Sequence, residues 1–235
     1  MGRAASARAA ALATPACRLL VGGVPLRARH LATLLAIGVA SAGAQPPAGG
    51  TRTIVFFGDS ITAGYGLEDP GAEAFPALIQ KKIDAAGLDW RAVNAGLSGE
   101  TSAGGLRRID WVLRQPVDIL VLELGANDGL RGIPVQETRA NLTAIVEHVR
   151  ARFPAARIIL AGMRMPTNMG EDYDRSFAGT YTEVAARERI ELIPFLLEGI
   201  GGRPDLNQGD GIHPTAAGHA IVADTVWRVL RPLLN

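Results

Sequence analysis

The chain is short of cysteine, of net charge and of long apolar runs, and each shortage removes a class of function. Its one cysteine, Cys17, falls in the first 44 residues, which read as a leader. The rest of the chain therefore has no disulfide framework, no thiol nucleophile and no cysteine-bound zinc. The formal net charge is only +1. Arg3, Arg8, Arg18, Arg27 and Arg29 precede residue 44 without a single acid, so the remainder has 19 Lys and Arg against 23 Asp and Glu, a net charge of −4. That balance gives no basic face for nucleic acid. The apolar run "LATLLAIGVA" is ten residues long, too short to cross a bilayer, so no stable membrane anchor is expected. No internal repeat occurs, and no low-complexity tract outside the leader.

Basic residues, then a short apolar run, then "AGA" is the order of a secretory signal. Residues 1–44 are expected to be removed after Ala44, residues 45–52 ("QPPAGG" and the next two) to serve as linker, and residues 53–235 to form one exported domain, periplasmic or secreted. About 190 residues are enough for a single well-developed core.

Within that domain "TIVFF" (53–57), "RAVNA" (91–95), "DILVLEL" (118–124), "RIILAGM" (157–163) and "ELIPF" (191–195) are strand candidates. Most are near-continuously apolar, as strands covered on both faces are. Between them lie helical patterns. Phe75, Leu78, Ile79 and Ile83 precede a stop at Gly87; Leu142, Ile145, Val146 and Val149 share a face; Ile221, Val222, Val226, Val229 and Leu230 do the same near the end. Five alternations predict a parallel sheet with helices on both sides. In such a sheet every strand-to-helix loop opens on one edge, where ligands bind.

The polar clusters all fall on that edge. "GDSITAGYG" follows the first strand, "GLSGETSAGG" the second, "GANDGLRG" the third, "RMPTNMGEDYD" the fourth, and a longer loop ending in "GDGIHP" the fifth. Ser60 is a candidate nucleophile, though a serine after a strand also serves as a helix cap. Asp210 and His213 are three apart, so the carboxylate can accept from one imidazole nitrogen while the other faces a hydroxyl. Pro214 suits the first position of the last helix, which would fix His213 at a helix entrance. The Asn127 amide and the Gly96 N–H are candidate donors to an oxyanion; an Asx turn and a plain turn glycine are their ordinary alternatives. Serine, glycine, asparagine and histidine in successive loops make a hydrolytic site the stronger reading.

The four blocks "GDSITAGYG", "NAGLSGETSAGG", "ELGANDGLRG" and "DGIHP" resemble, in order, those of the SGNH hydrolases, also called GDSL esterases and lipases. "ELGANDGLRG" with "MRMPTNMGEDYDRSF" and "LIPFLLEGI" is most similar to the periplasmic acyl-CoA thioesterase, lysophospholipase and arylesterase branch. The resemblance implies a three-layer α/β/α domain of flavodoxin-like character around a five-stranded parallel sheet, and no cofactor or metal. It implies Ser60 as nucleophile and, through its own N–H, one oxyanion donor. Gly96 and Asn127 would be the other donors, His213 the base and Asp210 its orienting acid. Ala126 stands where this branch often has glycine, a change that bears on substrate preference.

Met165, Pro166, Met169 and Tyr173, in the loop after the fourth strand, are the expected lining for an acyl chain or aromatic ring. Asp59 is expected to be a local hydrogen-bonding residue and Glu123 a buried carboxyl with structural partners. His148 reads as a solvated helix residue, and His213 with His219 make a poor metal pair at a spacing of six. The implied activity is hydrolysis of acyl esters or thioesters. Carbohydrate O-deacetylation on the same fold, and a non-catalytic binding module, are the alternatives.

Overall fold

The computed structural model describes residues 50–235. The expected leader (1–44) and most of the expected linker (45–52) lie outside the described residues.

Five parallel strands form one sheet: β1 (Arg52–Gly58), β2 (Trp90–Asn94), β3 (Ile119–Glu123), β4 (Arg157–Ala161) and β5 (Glu191–Ile193), in the order β2-β1-β3-β4-β5. This is the flavodoxin-like order, in which the direction of winding reverses between β1 and β3. Residues 54–57 of β1 and 119–123 of β3 are almost completely buried, as expected of central strands covered on both faces. The register sets Gly58 beside Glu123 and Phe56 beside Asn94.

The helices are α1 (Ser60–Ala63), α2 (Pro70–Glu73), α3 (Phe75–Ala85), α4 (Ser102–Val112), α5 (Ala126–Leu130), α6 (Val135–Arg152), α7 (Glu171–Glu188) and α8 (Ala216–Leu230). α3 packs with α8, while α4, α6 and α7 pack in series, giving three layers. The apolar positions read from the sequence are the buried ones: Phe75, Ile79 and Ile83 on α3, Leu142, Ile145, Val146 and Val149 on α6, Val222, Val226 and Leu230 on α8. Gly87, the expected stop after α3, has a left-handed backbone at φ +65°, which glycine adopts without the Cβ penalty.

The strand ends fall within two residues of those expected, and two differences have a clear physical cause. β5 ends at Ile193 rather than 195 because Pro194 has no N–H to continue the ladder; the Leu196 N–H turns back to the Gly162 carbonyl instead. Pro214 lies outside α8, bridged to Asn207, and the helix is capped by Thr215, whose hydroxyl accepts from the Gly218 N–H at 3.3 Å. Pro214 is thus not the first helical residue, and His213 is held in the loop two residues ahead of the capping Thr215 rather than at the helix entrance itself.

Candidate active site

At the end of β1 the chain enters a four-residue helical turn whose first residue is Ser60. Asp59 caps it, accepting from the Ile61 N–H at 3.1 Å. The turn closes at Gly64, which has φ +77°. Ser60 is buried but opens on a cavity of about 490 Å³ between the loops that follow β1, β3 and β4 and the segment ahead of α8. This is the carboxyl edge of the sheet at the β1/β3 reversal.

Ser60 Oγ lies 2.9 Å from His213 Nε2, and His213 Nδ1 lies 2.6 Å from Asp210 Oδ2. The sequence separates the first pair by 153 residues. Burial alone would raise the Asp210 carboxyl, but the N–H groups of His213 (3.0 Å) and Ile212 (2.9 Å), with the imidazole, outweigh it and hold the group at about 2. Asp210 therefore stays ionised beside the imidazole, the state that favours a proton on Nδ1 and leaves Nε2 free to accept.

Asn127, at the start of α5, lines the same cavity and donates one amide hydrogen to Asp59 Oδ2 at 3.0 Å. The other hydrogen has no partner among the described residues. Asp59 in turn sits against Glu123, which is fully buried. Burial raises Asp59; the Ile61 N–H, the Asn127 amide, the Glu123 carboxyl and the charge of His213 lower it, and the balance is about 6. Burial, then the charge of Asp59, pushes Glu123 well above the usual carboxylate range. Glu123 Oε2 accepts from the Thr62 hydroxyl at 2.7 Å and the Asp59 N–H at 3.1 Å. A Cβ on Gly58 would lie 2.4 Å from the same oxygen, so glycine is what lets the carboxyl reach under the nucleophile turn. Asp59 and Glu123 thus have the local roles read for them from the sequence.

Gly96 packs against the Ser60 turn so closely that a Cβ would lie 2.3 Å from the Ala63 nitrogen. Its N–H, however, donates to Asn94 Oδ1 at 2.9 Å, a local bond that competes with any donation to an oxyanion. The Ser60 N–H has no hydrogen-bond partner among the described residues.

Of the four residues expected to line a substrate site, Met165 and Pro166 line the cavity beside Ser60, alongside Ile61, Leu130, Phe195, Leu197 and Ile212. Met169 and Tyr173 do not line the cavity, which corrects the expectation. Tyr173 packs on Phe177 at 6.3 Å between ring centroids and donates to the Gly129 carbonyl at 3.1 Å, and Met169 lies half-buried against the core. Loop composition alone cannot separate residues that line a cavity from those that secure the loop. The sequence also gave no sign of the Arg164–Asp174 ion pair at the cavity wall, in which Asp174 takes the guanidinium at 2.5 Å and the Met165 N–H at 2.8 Å. His148 pairs with Asp110 on the surface, and His219 is buried in α8. Among the described residues no three His, Cys, Asp or Glu side chains are grouped to hold a metal, and no helix is long and apolar enough to cross a membrane.

Comparison with known proteins finds related esterases and thioesterases. The chain is 42% identical over 184 residues to the esterase TesA of Pseudomonas aeruginosa, covering 78% of this chain and 90% of that one. It is 37% identical over 189 residues to thioesterase 1/protease 1/lysophospholipase L1 of Escherichia coli, covering 78% and 85%. The crystal structure of the psychrotrophic esterase EstA from Pseudoalteromonas sp., inhibited by monoethylphosphonate, superposes with a TM-score of 0.72 at 37% identity, covering 78% of this chain and 99% of that chain. The GDSL-like lipase/acylhydrolase family matches residues 56–221, and the chain belongs to that family.

Proposed function

We propose that the protein is an exported serine esterase that hydrolyses acyl esters, aryl esters or acyl thioesters through an acyl-enzyme. The observation that carries this reading is the continuous hydrogen-bonded line from Asp210 through His213 to Ser60 at the mouth of a largely apolar cavity. Nε2 takes the Ser60 proton as Oγ attacks the carbonyl carbon, and the imidazolium is stabilised by the ionised Asp210. The carbonyl oxygen gains charge where the Ser60 N–H and the free Asn127 N–H are unspent. These are the two readiest oxyanion donors. Gly96 joins them by sharing its N–H between Asn94 and the oxyanion. His213 then returns the proton to the leaving oxygen or sulfur, and a water, activated by the same Nε2, releases the acid.

Met165, Pro166, Leu130 and Phe195 supply apolar surface for the acyl or aryl part. The basic-then-apolar leader supports export, and the relatives' names, esterase and thioesterase/lysophospholipase, support an acyl ester over other substrates. The test is steady-state hydrolysis of p-nitrophenyl esters of increasing chain length, acyl thioesters and acetylated sugars. Turnover of acyl esters by residues 45–235, with deacetylation of sugars slower by about 10²-fold or more, is the expected result. Preferential deacetylation of sugars would replace this substrate assignment.

A further inference from the structure

His213 sits in a loop whose neighbours Gly209, Asp210, Gly211 and Ile212 are all exposed, yet its Nε2 must stay at 2.9 Å from a serine on a different loop. Two hydrogen bonds join segment 58–67 to segment 205–215 among the described residues. One is the Ser60–His213 bond itself; the other runs from Gln208 Nε2 to the Tyr65 carbonyl at 2.7 Å. The second hydrogen of the same nitrogen goes to the Pro214 carbonyl at 3.0 Å, and the Gln208 backbone N–H goes to the His213 carbonyl at 2.7 Å. Tyr65 in turn donates its own N–H to the Ser60 carbonyl at 2.9 Å.

The backbone carbonyl of Ser60 and the backbone carbonyl of His213 are therefore connected through Tyr65 and Gln208, in parallel with the direct side-chain bond. The Tyr65 ring, although 53% exposed, lies against the imidazole with centroids 4.7 Å apart and planes at 48°. A Cβ on Gly66 would fall 2.0 Å from Gln208 Oε1, so the next residue is one that leaves room for the carboxamide. Gln208 Nε2 serves both carbonyls at once, which a carboxamide can do because its nitrogen carries two hydrogens.

We infer that Gln208 is a positioning residue for the Ser60–His213 pair, acting with Tyr65 as a clasp that fixes the base loop against the nucleophile turn. It touches neither substrate nor reacting atoms; it sets the distance across which the proton moves, to which rate is steeply sensitive. The inference rests on His213 being the base.

The test compares Gln208→Leu, Gln208→Glu, Tyr65→Ala and the Gln208→Leu/Tyr65→Ala pair on one short-chain p-nitrophenyl ester, with His213→Ala alongside. Gln208→Leu is expected to lower kcat by roughly 10- to 30-fold with KM unchanged within about twofold, since only placement of the base is lost. Gln208→Glu should lose at least as much, because a carboxylate cannot donate to two carbonyls. The fluorophosphonate labelling rate should fall in the same ratio as kcat. Because both residues act through one placement, the double variant should lose no more than about twofold beyond the worse single change. A kcat for Gln208→Leu within twofold of the parent, a raised KM with kcat intact, or losses that multiply would each overturn the clasp. Should Gln208→Leu fail to fold, the isosteric Gln208→Glu, which removes both donated hydrogen bonds, decides by the same kcat and KM criteria. His213→Ala separates the two ideas: if it retains a tenth or more of activity the base assignment fails, whereas its inactivity beside a fully active Gln208→Leu removes the clasp alone.

Discussion

Replacing Asn127 by alanine perturbs two things that the structure ties to one amide. One hydrogen of that amide is held by Asp59 Oδ2 at 3.0 Å and the other is free beside the cavity. Loss of the free hydrogen removes one donor to the developing oxyanion. Such donors act on the transition state, so kcat should fall by about 10²–10³, equivalent to roughly 3–4 kcal/mol, with KM nearly unchanged. Loss of the bound hydrogen strips a partner from a buried carboxyl that already sits at about 6, which should cost roughly 1–3 kcal/mol of stability. The sign of its pH dependence follows from the direction of the shift. A carboxyl raised in the folded state contributes nothing adverse below its unfolded value and loses stability as pH rises through its folded value. Asn127→Ala pushes Asp59 higher still, so the variant should be close to the parent at pH 5 and fall behind it by pH 8. Steady-state kinetics with a p-nitrophenyl ester and urea unfolding at the two pH values read the two effects separately. Raised KM with kcat intact would refute the donor role, and an equal stability loss at both pH values would refute the coupling to Asp59.

Gly96→Ala would place a methyl 2.3 Å from the Ala63 nitrogen and 2.8 Å from two further backbone atoms of the nucleophile turn. Displacing that turn should lower kcat by about 10²-fold; kinetics within twofold of the parent would show that the turn can yield. His219 is buried, accepts from the Phe75 N–H at 3.3 Å, and is lowered to about 4 by burial and by the charge of His213. The unfolded chain then binds a proton that the folded one refuses between about pH 6.5 and 4, so this residue makes stability fall with acid by up to about 1.4 kcal/mol per pH unit. Asp59 acts in the opposite sense across an overlapping range. The comparison is therefore with His219→Phe, which keeps the Asp59 contribution and should lose the His219 one; identical pH slopes of unfolding free energy would contradict this.

The alternation of apolar runs and helical patterns disclosed the sheet because central strands and amphipathic helices carry strong, local periodicities. Ser60 and Asn127 were legible for a related reason: in a parallel sheet, being next to the end of a strand already fixes the edge on which a residue stands, while His213, far beyond the end of β5, stood out only by its spacing of three from Asp210. The strand order β2-β1-β3-β4-β5 is written in no single segment, and the resemblance of four blocks implied only a five-stranded parallel sheet of flavodoxin-like character. What stayed hidden depends on distant pairing. Asp59 and Asn127 are 68 residues apart, Gln208 and Tyr65 143, and no periodicity links them. Met169 and Tyr173 looked like pocket residues because they share a loop with Met165, but Tyr173 is turned by Phe177 and Gly129, which the loop's own composition does not contain, and Met169 packs half-buried against the core.

The proposed activity depends on Ser60 as nucleophile and on its activation by His213. Intact-mass analysis of residues 45–235 after reaction with a fluorophosphonate, followed by peptide mapping, tests it most directly. One adduct per chain is expected, on Ser60, absent from Ser60→Ala and slowed by at least about 10²-fold in His213→Ala, with ester hydrolysis lost in step. Labelling at another residue, or hydrolysis that survives in Ser60→Ala, would contradict it.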